Sequence, residues 1–87
     1  MKKKILIIQG SSLKKINIKT DTSFFLGLEA QRRRYQIYYY EPKDLSFING
    51  KATALCSKVK FLDNPKKPVT VLNKKILNLL QAKLILI

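Results

Sequence analysis

Three groups of side chains in this 87-residue sequence have types and spacing that could do chemistry. Lys19 and Thr20 lead into Asp21, just ahead of an apolar stretch with helical spacing. A carboxylate there accepts bonds from free N–H groups of the first turn and complements the positive end of the helix dipole. Arg32, Arg33 and Arg34 precede Tyr35, Tyr38, Tyr39 and Tyr40. Guanidinium beside phenol is the chemistry that holds phosphate and stacks on bases, yet a last helical turn favours cations on its own account, and this second reading is preferred. Gln9-Gly10-Ser11-Ser12 follows an apolar run and leads toward a helix, which invites a phosphate site. The glycine count rejects it, since neither GxGxxG nor GxxxxGK[ST] is present. Cys56 is the single cysteine and histidine is absent, so neither an internal disulfide nor a convincing metal set is expected.

The elements that must position these groups follow from local signals. Residues 5–8 form a continuous apolar run between lysines and the Gly/Ser loop, suited to a strand buried on both faces. A helix is expected from Thr22 with Asp21 as its N-cap. Phe24, Phe25 and Leu28 form its apolar stripe, with Leu26 at the margin. Gln36–Tyr40 is the next expected strand, in which at least alternate tyrosines belong to the core. Glu41-Pro42-Lys43-Asp44 is a turn. Leu45–Ile48 and residues 51–55 flank Asn49-Gly50, whose tolerance of positive φ marks a type I′ hairpin. The second arm, through Leu62, alternates unevenly and reads as an edge strand protected by lysines. Residues 63–68, with two prolines, form a loop. Residues 72–80 read as a short helix with Leu72, Ile76, Leu79 and Leu80 on one side, and residues 84–87 as a further parallel strand. The order points to one α/β domain: a mostly parallel sheet with flanking helices and an antiparallel hairpin.

Eighteen Lys and Arg against five Asp and Glu leave a net charge of +13, a balance that often accompanies a polyanionic partner. Here lysines are scattered singly and in short groups, and Lys, Ile and Asn make up about a third of the chain, as an AT-rich coding sequence would produce. Compositional drift therefore explains the charge better than a nucleic-acid site does. The lysines at residues 2–4 and the short apolar run after them lack the length and the cleavage site of a secretory signal. No window has the 18 or more apolar residues of a membrane helix. The expected location is the cytoplasm, with no membrane partner.

Residues 16–54 carry a more specific likeness. Ile16-Asn17-Ile18-Lys19, Asp21-Thr22-Ser23-Phe24 and the run from Leu28 through Arg33 resemble the first loop and helix of bacterial glutathione synthetase. Tyr39-Tyr40-Glu41-Pro42, Asp44-Leu45 and Ile48-Asn49-Gly50 look like its following strand and hairpin. The resemblance implies an ATP-grasp ligase, which uses ATP and Mg²⁺ to convert the carboxylate of γ-glutamylcysteine to an acyl phosphate that glycine attacks. Activation is needed because a carboxylate resists amines until it carries a leaving group, and metal and cationic groups offset the charge that develops. The whole chain, 1–87, would be part of the Rossmann-like, pre-ATP-grasp N-terminal domain. That domain forms one wall of the substrate site and does not itself grip ATP or magnesium. Lys19, Thr20 and Asp21 then become substrate-side residues, with capping the expected main role of Asp21. The intact family enzyme is expected to be a homo-oligomer.

Three departures from the family pattern bear on this. A second lysine often precedes the family's Asp at the helix start, where this chain has Thr20; a cationic contact to a substrate carboxylate is thereby weakened. An Asp-Pro near the end of the first strand is replaced by Ser11-Ser12. The glycine that usually follows the Arg pair is Arg34, which would cost about 1 kcal/mol if the backbone still needs positive φ. The likeness resumes weakly at residues 80–87, the strand before the family's Arg-Lys-Asp-Pro-Pro segment. The sequence thus supports an N-terminal, substrate-side piece, expected to be inactive alone and to expose apolar surface that favours self-association. The alternatives are a small basic nucleic-acid-binding protein using the Arg/Tyr cluster, and a gene remnant without function.

Overall fold

The computed structural model describes residues 4–10, 22–64 and 66–86. Among these residues, six strands and one α-helix are formed: β1 (Ile5–Gln9), α1 (Thr22–Arg32), β2 (Gln36–Tyr40), β3 (Leu45–Ile48), β4 (Lys51–Phe61), β5 (Val69–Asn78) and β6 (Leu84–Leu86). Short 3₁₀ turns at Pro42–Asp44 and Leu79–Gln81 lead into β3 and β6.

All six strands belong to one sheet. β1 lies between β2 and β6, parallel to both, whereas β4 runs antiparallel to β2, β3 and β5. Thr53 is paired with Ser46 of β3 and Asn78 of β5, and Val59 with Ile37 of β2 and Val71 of β5. β2 and β3 therefore share one edge of the long β4, end to end, while β5 occupies the other. Two expectations change. The sheet is mixed rather than mostly parallel, with a single described helix, and β4 is an interior strand rather than an edge. Its uneven alternation reflects burial on both faces at different points along its length, with Ala54 and Cys56 on one face and Val59 and Phe61 on the other.

The expected helix over residues 72–80 is replaced by β5. Between the pairs Lys58–Asn73 and Val59–Val71 the register slips by one residue, leaving Leu72 as a bulge. A bulge shifts every later side chain to the opposite face. It brings Val69 onto the helix side beside Phe61, whereas Leu77 lies on the far side beside Ala54. The broken period-2 pattern leaves Leu72, Ile76, Leu79 and Leu80 at spacings of three and four, which imitates a helix.

Two cores result. On one face α1 covers Leu6, Ile8, Ile37, Tyr39, Val59 and Phe61, contributing Phe24 and Ala30. On the other, Ile7, Tyr38, Tyr40, Ala54, Cys56 and Leu77 are buried beneath the chain that crosses from β5 to β6, with Leu79 and Ala82 packed against them. The helix docks through Phe24, whose ring meets Phe61 edge-on at 5.3 Å, and through Gly27. A Cβ on Gly27 would lie 2.7 Å from Cδ2 of Phe61, so the close approach of helix and sheet requires glycine. Phe25, which helical spacing places in the buried stripe, is instead 51 % exposed. It sits about 100° round the helix from Phe24, and Gly27 takes the position facing the sheet. Gln31 binds the end of β4 twice, accepting from Phe61 N–H and donating to its carbonyl, both at 2.9 Å.

The helix ends in a Schellman motif. Tyr35 N–H donates to the Ala30 carbonyl and Arg34 N–H to the Gln31 carbonyl, both at 3.0 Å, with Arg34 at φ 68°. The left-handed position foreseen for Arg34 is therefore present. The hairpin also forms as expected, with Asn49 at φ 51°, Gly50 at φ 75° and Ile48 paired with Lys51. Large apolar side chains remain exposed at Phe47 (76 %), Ile76 (70 %) and Leu80 (88 %). No helix among the described residues is long and apolar enough to cross a membrane.

Candidate functional site

In an open sheet with parallel strands, ligands approach the carboxyl ends of those strands, where the connecting loops emerge. Here that rim is built by the ends of β1 and β2. Tyr40 donates its hydroxyl to Gln9 Oε1 at 2.7 Å, and its carbonyl accepts from Gly10 N–H at 3.1 Å. Gly10 also lies against Tyr39, whose ring carbon Cζ would be 2.9 Å from a Cβ placed there. These contacts hold the rim in place as far as Gly10. Lys19, Thr20 and Asp21 all lie outside the described residues. The described chain breaks off at Gly10 and resumes at Thr22, the first residue of α1.

Beside this rim is a pocket of about 160 Å³. Its floor is a row of paired residues on the helix-side face, Tyr39 of β2, Ser57 of β4 and Lys74 of β5. Glu41, Lys43 and Asp44 close it from the 3₁₀ turn. Pro42 sets the turn by constraining its own backbone and that of Glu41, and Asp44 N–H bonds the Glu41 carbonyl at 2.9 Å. The sequence identified this segment as a turn but gave no sign of the pocket, because Ser57 and Lys74 reach it only through strand pairing.

Cys56 lies next to this wall but faces the opposite core. Its thiol is fully buried and pushed up to about 11, first by burial and then by the nearby Asp44 carboxylate. Tyr40 is raised as well, by burial and then by Cys56. Such a thiol is a poor nucleophile at neutral pH. Among the described residues, no group of three or more His, Cys, Asp or Glu side chains converges.

The Arg/Tyr cluster is taken apart by the fold. Tyr38, Tyr39 and Tyr40 are at most 5 % exposed because both faces of β2 are covered, so none offers a ring for base stacking. Arg32 and Arg33 lie over Glu29 at 3.4 and 3.3 Å in exposed pairs, a geometry worth at most about 1 kcal/mol. The structure gives the nucleic-acid reading no support.

The fold and its rim define an α/β domain whose parallel-strand ends lie beside a small polar pocket. The family model described as "Prokaryotic glutathione synthetase, N-terminal domain" matches residues 4–87, and the chain belongs to that family. Glutathione synthetase of Salmonella typhimurium is 62 % identical over 39 residues, 45 % of this chain and 12 % of the relative. The Escherichia coli K12 protein of the same name is 59 % identical over 39 residues, with the same coverage of both chains. That of Vibrio parahaemolyticus is 50 % identical over 50 residues, 58 % of this chain and 16 % of the relative. The matched part therefore spans about an eighth to a sixth of these curated relatives.

Proposed function

We propose that this chain is the substrate-side N-terminal part of an ATP-dependent carboxylate–amine ligase that joins γ-glutamylcysteine to glycine. The observation that carries the reading is the family match across residues 4–87. Within it, Lys19, Thr20 and Asp21 are proposed to face substrate from the loop between β1 and α1, with the carboxyl rim of β1 and β2 as their platform. ATP supplies the phosphoryl group that activates the substrate carboxylate. No step of that activation is assigned to the described residues. Their contribution is to shape and rigidify one wall of the site. In this reading the domain is of the Rossmann-like, pre-ATP-grasp type, works in the cytoplasm, and belongs to a homo-oligomeric enzyme when complete.

The test is a chimera in which residues 4–87 replace the matching segment of the Escherichia coli relative. Glutathione formation from γ-glutamylcysteine, glycine and ATP is expected to persist, and Thr20→Lys in the chimera is expected to lower the KM for γ-glutamylcysteine. The 87-residue chain alone is expected to release no ADP under the same conditions. A folded chimera without ligase activity would overturn the assignment.

A further inference from the structure

We propose that Asn49 is a site of spontaneous chemical modification, where the Asn49-Gly50 peptide closes to a succinimide that water opens to aspartate and isoaspartate. The inference goes beyond the ligase reading and rests on the β3–β4 turn alone. Ring closure needs an unengaged side-chain amide, an unengaged N–H on the next residue and room around the attacking nitrogen. The turn supplies all three. Asn49 and Gly50 are both exposed, at φ 51° and 75°. Among the described residues, the side-chain hydrogen bond of this hairpin runs from the Thr53 hydroxyl to the Ser46 carbonyl, and neither the Asn49 amide nor Gly50 N–H is engaged. A Cβ placed on Gly50 would meet nothing within 4 Å beyond its chain neighbours.

The other described asparagines lack this combination. Asn64 precedes Pro65, which has no N–H to attack. Asn73 precedes Lys74 within β5, and the Asn78 side chain is held by Leu80 N–H at 2.9 Å. At Asn49 the Gly50 nitrogen loses its proton to solvent base and bonds to Cγ. The Cγ–Nδ2 bond then breaks, and Nδ2 leaves as ammonia with a proton from water. Water opens the ring at Cγ to give aspartate, or at the main-chain carbonyl to give isoaspartate. In sum, an amide and water become a carboxylate and ammonium. The two products affect the fold differently. Asp-Gly supports the same type I′ turn, so aspartate keeps Ile48 paired with Lys51. Isoaspartate adds a methylene to the main chain of a two-residue loop that fixes register, which separates that pair. β3 is paired with β4 alone among the described strands, so its place in the sheet depends on this turn.

The experiment incubates the full chain at physiological pH and temperature, follows charge variants by ion exchange, and maps them by peptide mass spectrometry. Isoaspartate is scored separately by its enzymatic carboxyl methylation. A form with one added negative charge is expected to accumulate and to map to Asn49. The reaction there is expected to run at least about tenfold faster than at Asn73 or Asn78, a barrier difference of about 1.4 kcal/mol. Gly50→Ala should slow it, because the added methyl crowds the attacking nitrogen. Asn49→Asp should retain the amide dispersion of residues 45–54, whereas the isolated isoaspartyl form should lose the cross-strand contacts of residues 45–48. Should Gly50→Ala fail to fold, the comparison of asparagines within the unmodified chain decides. A rate at Asn49 no greater than at Asn73 and Asn78 would overturn the proposal. So would modification confined to the chain unfolded in urea, since the turn would then protect Asn49.

Discussion

At Arg34 the backbone adopts φ 68°, a conformation in which an L side chain crowds its own carbonyl. The Schellman hydrogen bonds from Arg34 and Tyr35 hold it there, so the strain is carried by the native state and relieved on unfolding. Arg34→Gly is expected to stabilise the chain by about 1 kcal/mol after allowing for the greater freedom of unfolded glycine. A higher urea midpoint at unchanged slope would register the gain. Cys56 gives a second prediction at this scale. Its thiol ionises near 9 when exposed and near 11 in the fold, chiefly because of burial and secondarily because of Asp44. Between those values the folded state keeps a proton that the unfolded chain has released, so stability must fall as pH rises from 9 to 11. The loss is on the order of 2 kcal/mol, with Tyr40 adding in the same direction. Urea midpoints measured across this range should decline, and Cys56→Ala should flatten the decline.

At the scale of elements, the sharpest question is why residues 72–80 pair as a strand. The Leu72 bulge lets β5 supply Val69 to one core and Leu77 to the other, an arrangement no amphipathic helix at that edge would achieve. The two readings assign different weights to adjacent residues. In the strand Leu77 is 3 % exposed and Ile76 is 70 % exposed, whereas a helix with Leu72, Ile76, Leu79 and Leu80 inward would bury Ile76. Leu77→Ala is therefore expected to destabilise by about 2–5 kcal/mol, and Ile76→Ala by no more than about 0.5 kcal/mol. Chemical denaturation of the two variants, compared side by side, checks this directly. The reverse ranking would refute the strand pairing.

For the whole molecule, charge is the dominant feature. An excess of 13 positive charges is gathered within a radius of gyration of 12.5 Å, with just two exposed ion pairs among the described residues. Self-repulsion of this kind opposes the compact state and is screened by salt. The thermal midpoint is expected to rise by several degrees between low salt and ~0.5 M sodium chloride, because about 1 kcal/mol moves a small domain by roughly 4–8 °C. An unchanged midpoint in a thermal melt series would mean that the charges are too well separated to matter.

Much of this architecture was legible in the residues alone, and the reason is locality. β1, the start of α1 and the Asn49-Gly50 hairpin rest on short-range signals: a continuous apolar run, helical spacing, and a dipeptide that tolerates positive φ. The left-handed turn at Arg34 was legible for a different reason, since the resemblance pointed to a glycine position there. What escaped the sequence depended on partners far along the chain. β4 became an interior strand because β5 pairs with it, β5 became a strand because a bulge serves two cores, and Gly27 displaced Phe25 from the interface because the Phe61 ring lies opposite. The pocket belongs with these, since Glu41, Ser57 and Lys74 come from three elements and meet only when β2, β4 and β5 are in register. The sequence by itself determined the family and the local elements, because those follow from neighbouring residues. Only the tertiary structure decided which faces are buried and which charges converge, because long-range pairing sets both.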